Sequence, residues 1–242
     1  MDTIHQIWIG DDPPPTEWMN TVKVFAAEYA YKYKLWTNSS VKDLKMDEFP
    51  GLKKVYTSFS GELAGRADIL RLLILYTFGG VYIDADTVIM KPEKFHAFLE
   101  KNKKGVFFAW ENLSAARTRK LHIKFRRLIA NGIMGSESGH PFLRALLEGI
   151  VQSTEGEAWK QVGPLYITKA YMAMKNEFPD INIYPMRYFY PRPWAGITDP
   201  ELHTKVKIPA ASMLFQYGYS TNSFGRIFRQ RKKREMTRRN HR

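Results

Sequence analysis

Residues 62 to 90 constrain the fold more than any other stretch of the chain. Glu62 to Phe78 is of helix length and apolar almost throughout; Gly79-Gly80 breaks it, and Val81-Tyr82-Ile83-Asp84-Ala85-Asp86 follows. Glycine accepts the left-handed backbone that ends many helices, so the pair predicts a stop after Phe78. Apolar and β-branched residues then predict a strand from Val81 to Met90, closed by Lys91-Pro92. A helix that is apolar on most sides is a buried one. Asp68 and Arg71, three residues apart on one face of it, therefore need a partner or a function.

On a strand, residues two apart share a face. Asp84 and Asp86 are thus expected to project together, with Val81, Ile83 and Ala85 facing the other way. Two adjacent carboxylates repel, and without a cation one pKa rises. A divalent ion removes that conflict, and hard oxygen ligands suit Mn²⁺ or Mg²⁺, which keep positions open for substrate phosphates. An arginine beside such a site is shaped to hold a diphosphate. The chemistry this predicts is electrostatic stabilisation of a nucleotide diphosphate as it leaves. Asp-x-Asp recurs by chance in surface loops, and an Asp-x-x-Arg pair can be purely structural. The combination with the Gly-Gly break and the apolar strand carries the reading.

The flanking sequence predicts an α/β chain. Thr3 to Ile9 reads as a strand ending at Gly10, Asp11 to Pro15 as a stiff loop, and Thr16 as the N-cap of a helix to about Tyr31. Lys34 to Thr37 is a second strand, and strand–helix–strand opens an α/β nucleotide-binding fold. Further strands are expected at Gly105–Trp110, Leu128–Gly135 and Ile181–Tyr190, and helices at Pro141–Val151 and Pro164–Lys175. Ser114 to Lys124 reads as a surface excursion and residues 191–218 as loop-rich. No repeat or linker divides the body, so one domain is expected over residues 1–225, with a basic tail over 226–242.

With 242 residues, 44% of them hydrophobic, the chain can bury the core of one such domain. The absence of cysteine excludes disulfides and thiolate metal sites. Met1 to Trp8 lacks the basic and apolar regions of a signal peptide, and no run reaches the ~18 apolar residues that span a bilayer. The expected location is cytoplasmic, with peripheral membrane attachment as the variant. Of the net charge of +13, Arg226 to Arg242 carries +8, from nine Lys and Arg against Glu235. The basic character is thus assigned to the tail and not to the active site. Such a tail is either a solvated end or a contact to anionic lipid; nucleic acid is physically allowed but not the expected partner.

Asp68-x-x-Arg71, an apolar run and Gly79-Gly80-x-Tyr82-x-Asp84-x-Asp86 together resemble the signature of the DXD-motif sugar transferases. These are the family 32-like glycosyltransferases, related to initiating α-1,6-mannosyltransferases and to the catalytic domain of clostridial glucosylating toxins. Ile4 to Gly10 is similar to the first strand of that group. Asn131-Gly132-Ile133-Met134, Gly139 to Phe142 and Gly163-Pro164 resemble later blocks. The resemblance implies a GT-A-type fold, a mixed central sheet flanked by helices, and transfer with retention of configuration from a UDP- or GDP-sugar to a glycan or lipid-linked acceptor.

By the same resemblance Asp84 and Asp86 are the metal ligands, with Asp84 also reaching the ribose. Trp8 stacks on the base, Asp68 and Arg71 meet the donor sugar, and Asn131 lies near the sugar or the acceptor. Asp68, Arg71 and Asp86 are accordingly the candidate catalytic residues, and Trp8, Asp68, Arg71, Asp84 and Asn131 the donor-binding ones. The pattern departs near the end, where Tyr219 stands in place of the expected His and Phe224 in place of Trp. That leaves the third metal position to water, Asn222 or a phosphate oxygen. His5 reads as a packed strand residue rather than a ligand. Two other classes stay in view: a metal-dependent phosphodiesterase built on the paired aspartates, and a non-enzymatic module that binds anionic polymer or membrane through the tail.

Overall fold

The structure is a computed structural model that describes residues 1–113, 118–119, 122–150, 156–193, 197–219, 222, 224–226 and 229–230. Most of the predicted excursion at 114–124 and of the basic tail lies outside them. In chain order the elements are β1 (Thr3–Ile7), α1 (Thr16–Glu28), β2 (Lys32–Trp36), α2 (Leu52–Ser58), α3 (Leu63–Phe78), β3 (Gly80–Ile83) and β4 (Thr87–Ile89). There follow α4 (Pro92–Lys101), β5 (Val106–Asn112), β6 (Arg127–Ser136), α5 (Pro141–Ile150), α6 (Ala158–Gln161), α7 (Pro164–Met174), β7 (Ile181–Tyr184), α8 (Leu202–Lys205) and β8 (Leu214–Gln216).

Six strands form one mixed sheet in the order β2-β1-β3-β6-β5-β7, and β4 pairs with β8 in a separate two-stranded ribbon. β1 runs parallel to β2 and β3, whereas β6 runs antiparallel to β3 and β5. Side chains alternate across the sheet as the two-residue period requires. Tyr82, Val106 and Phe108 join the core under α2, α3 and α5, while Val81, Ile83 and Phe107 join the core that holds Phe25 of α1 and Phe95 of α4. Both faces are covered, so β3 and most of β6 are buried along their length.

The register decides where function can sit. His5 pairs with Tyr82, so the carboxyl ends of parallel β1 and β3 reach the same edge, bringing Trp8 and Asp84 to it. Ile83 pairs with Ile133 of antiparallel β6, which puts Gly132 and Asn131 beside Asp84. Carboxyl ends of parallel strands are where open α/β sheets bind ligands.

Three expectations change. The strand predicted over Val81–Met90 is two strands: Asp84 N–H makes the last bond to β6, at the Gly132 carbonyl, 2.7 Å. Thr87 N–H then bonds the Asp84 carbonyl at 3.1 Å, closing a turn that carries the aspartates. Thr16 is the first helical residue and does not cap; Pro15 precedes it, with no side-chain hydrogen bond at the cap. The late strand ends at Tyr184, because Pro185 interrupts the ladder and a 3-10 turn follows. Gly79, at φ 65°, ends α3 as predicted, and Gly80, at φ 100°, lies so close to β1 that a Cβ would sit 2.4 Å from the Thr3 carbonyl oxygen.

Candidate active site

The aspartates converge although no strand aligns them. Asp84 Oδ2 and Asp86 Oδ1 both accept from Gln216 Nε2, at 2.6 and 3.3 Å. Gln216 faces Thr87 across the β4–β8 ribbon, and this register is what delivers its amide. Asp84 Oδ1 accepts from the Tyr82 hydroxyl at 2.6 Å and faces Arg71 Nη1 at 3.1 Å. Asp86 Oδ2 accepts from the Tyr219 N–H at 2.6 Å. Burial, and then the Asp84 charge, push the Asp86 carboxyl up to about 6.

Gly132 makes the approach possible. A Cβ there would lie 2.6 Å from Asp84 Oδ2 and 2.7 Å from Gln216 Nε2. The two carboxylates thus present hard oxygen atoms beside this glycine, with the Gln216 amide N–H between them. Such a donor set fits Mn²⁺ or Mg²⁺.

Asp68 and Arg71 stand behind the pair as a buried brace. Asn131 Nδ2 donates to Asp68 Oδ1 at 2.8 Å, and Arg71 Nη2 lies 3.4 Å from the same oxygen. Arg71 Nη1 also donates to the Asn131 carbonyl at 2.7 Å, Nε to the Ala67 carbonyl at 3.2 Å, and the guanidinium lies over the Tyr82 ring at 4.6 Å. Burial raises the Asp68 carboxyl to about 6 against the pull of Arg71 and Asn131. With only 7% of its side chain exposed, Arg71 offers little surface to a ligand. It is fixed by Asp68, Asp84 and the Asn131 carbonyl, and lines both cavities that open on the aspartates.

Two adjoining cavities open on the aspartates. The larger, about 600 Å³, has Leu63, Ala64 and Ala67 of α3 on one side, with Trp8, Asp12 and Tyr219 also on its lining. The smaller, about 220 Å³, is lined by Asp68, Glu111, Asn131, Tyr190 and Gln216, and shares Arg71, Asp84 and Asp86 with the first. Trp8 is half-buried; its Nε1 donates to the Asp12 carbonyl at 2.7 Å, and its ring meets the edge of Tyr219 at 5.0 Å. Tyr219, where a His was expected, sends its hydroxyl to the Pro13 carbonyl at 3.3 Å. Asn222 donates its amide to the Tyr217 carbonyl at 2.7 Å.

Every site residue named from the sequence thus lies at one sheet edge. Gln216 and Gly132 are the additions. His5 is packed as expected, and a second acidic group, Glu137, His140 and Asp180, lies at the opposite edge. There His140 Nδ1 accepts from the Phe142 N–H at 3.2 Å while Nε2 lies 3.0 Å from Asp180 Oδ2. That tautomer leaves no ring lone pair for a cation. Among the described residues no helix is long and apolar enough to cross a membrane.

A GT-A-type sheet with an Asp-x-Asp turn at its carboxyl edge defines a class. Residues 15–103 match the family described as the glycosyltransferase sugar-binding region containing the DXD motif. The chain is 27% identical over 148 residues to inositol phosphoceramide mannosyltransferase 3 of Schizosaccharomyces pombe, covering 61% of this chain and 36% of that protein. It is 28% identical over 151 residues to the mannosyl phosphorylinositol ceramide synthase of Saccharomyces cerevisiae, covering 61% and 34%. The chain therefore spans about a third of the length of these curated relatives. Among solved structures, the PaToxG glycosyltransferase superposes with a TM-score of 0.53 at 19% identity, over 74% of this chain and 70% of that one. The resemblance read from the sequence agrees with the family match over residues 15–103, and the expected fold with this superposition.

Proposed function

We propose that the chain is a metal-dependent, retaining glycosyltransferase that moves a hexose from a UDP- or GDP-sugar to a glycan or lipid-linked acceptor. The observation that carries this reading is the meeting of Asp84 and Asp86 on one Gln216 nitrogen at the junction of two cavities. Asp84 and Asp86 would hold Mn²⁺ or Mg²⁺, with water, Asn222 or a phosphate oxygen completing the set. A divalent cation there supplies charge stabilisation to the departing diphosphate.

The larger cavity is assigned to the nucleotide, with the Trp8 ring as its stacking surface. The smaller is assigned to the hexose, with Asp68 and Asn131 fixed by each other to receive its hydroxyls. Arg71 acts by orienting Asp84 and Asp68. The acceptor enters on the face the diphosphate leaves. The names of the two yeast relatives, both of which refer to inositol ceramides, favour a lipid-linked acceptor. The Lys- and Arg-rich stretch 231–242 suits peripheral contact with an anionic membrane.

The test is donor cleavage. Purified chain with Mn²⁺ is offered UDP-glucose, UDP-galactose, UDP-N-acetylglucosamine and GDP-mannose, and released UDP or GDP is followed. One donor should be cleaved well by the wild type and about a thousandfold more slowly by Asp84→Asn. No release from any donor, or release that Asp84→Asn leaves intact, sinks the assignment.

A further inference from the structure

The basic C-terminal residues reach the larger cavity. Phe224 is fully buried among Trp18, Tyr217 and Phe215, and meets the Trp18 ring edge-on at 5.3 Å. It anchors the chain immediately before Gly225. Gly225 packs so closely that a Cβ would stand 2.9 Å from Asp12 Oδ2 and 3.1 Å from the Tyr219 hydroxyl. Arg226 and Arg229 then line the cavity, and Arg229 Nη1 pairs with Asp12 Oδ1.

The charges of the cavity ask for these residues. Its lining carries Asp12, Asp84 and Asp86, and a diphosphate brings further negative charge. Arg71 is the third basic residue of the lining, and Asp68, Asp84 and the Asn131 carbonyl already engage it. Arginine is well suited to phosphate because its planar fork can present two parallel N–H donors to two oxygens. The Arg229–Asp12 pair is about half exposed on both sides. Ion pairs this exposed are weak and exchange readily.

We infer that Arg226 and Arg229 form the diphosphate-binding element for the nucleoside diphosphate part of the donor. Asp12 holds Arg229 at the cavity wall until a phosphate replaces it. The inference rests on the donor-binding reading above and adds to it the residues that carry the positive charge. It gives two arginines of the basic C-terminal segment a place in the site, which their position in the sequence did not suggest.

The experiment is calorimetric titration of UDP and GDP into the full chain with Mn²⁺, for wild type, Arg226→Gln, Arg229→Gln and the double variant. Lys101→Gln/Lys104→Gln, exposed residues at the opposite sheet edge, is the charge-matched control. Each single arginine variant should bind the diphosphate about tenfold more weakly, with a smaller loss for UMP or GMP. Asp12→Asn, which releases Arg229, should bind about threefold more tightly. Unchanged affinity in the double variant overturns the inference and leaves the transferase reading standing. An equal loss in the lysine control assigns the effect to bulk charge and overturns it as well. A wild type that binds neither diphosphate overturns both.

Discussion

Gly132 sets how closely the two carboxylates can meet. Its missing side chain is the space into which Asp84 Oδ2 and the Gln216 amide fit. Gly132→Ala should leave β6 paired, because the added methyl first meets the ends of the Asp84 and Gln216 side chains. It should lower donor turnover by about a hundredfold, the cost of moving a catalytic group by roughly an ångström. Released nucleotide, measured beside a melting curve, separates this from unfolding. Gln216 offers a second check at the same place. Gln216→Leu removes the neutral donor shared by Asp84 and Asp86, so it should destabilise the protein by about 1–3 kcal/mol without divalent cation and by less with it. Equal loss in urea titrations with and without Mn²⁺ would show that the carboxylates do not share a cation. Asp68, Arg71, Asp84 and Asp86 were marked in the sequence by a spaced motif, and Trp8 and Asn131 only by the resemblance of their segments. Gln216 and Gly132 were not, because their roles arise from pairing between strands far apart in the chain.

At the level of elements, α3 is the piece on which the site is built. Nearly every residue from Asp68 to Leu75 is fully buried, and the two charges are tolerated through each other, Asp84 and Asn131. Removing one partner of such a set costs more than the set contributes, since an uncompensated buried charge remains. Arg71→Met should therefore destabilise by about 3–5 kcal/mol. Asp68→Asn, which removes a carboxylate that burial already disfavours, should cost only about 1 kcal/mol. Chemical denaturation of the two variants should keep that order, and equal costs would refute the brace. The length of α3 was readable to within a residue because apolar composition and a glycine stop agree. The break between β3 and β4 was not, since the aspartates leave the sheet through a turn that their apolar neighbours conceal. Nor was α4: Lys91-Pro92 ends a strand, but Pro92 is also the first residue of a helix, where its missing N–H costs nothing. β8, only three residues long, is a strand because β4 pairs with it.

For the molecule as a whole, the acid response turns on His5, which joins three elements. Its Nε2 donates to the Gly79 carbonyl at 3.0 Å, where α3 ends, and its Nδ1 accepts from Trp36 Nε1 of β2 at 3.2 Å. Both ring nitrogens are used by the neutral form, and a proton added at Nδ1 would face the Trp36 N–H. Burial accordingly lowers the His5 pKa from 6.5 to about 4. Between those values the unfolded chain binds the proton and the folded chain does not. The His5 contribution is thus complete above pH 6.5 and is lost as pH falls toward 4, by up to about 3 kcal/mol. Asp68 and Asp86 act in the opposite sense. Their carboxyls are raised from 3.8 to about 6, so the folded chain holds protons that the unfolded chain has released, and their effect on stability worsens as pH rises through that window. The two trends overlap and oppose each other. His5→Gln isolates one of them, because an amide can still donate to Gly79 and accept from Trp36 but does not titrate. The gap in unfolding free energy between wild type and His5→Gln should widen in favour of the wild type by about 3 kcal/mol from pH 4 to pH 6.5, then stay constant above it. A gap independent of pH would mean that His5 titrates normally in the folded chain, and that the closure of β1, β2 and the end of α3 around it is looser than its hydrogen bonds imply.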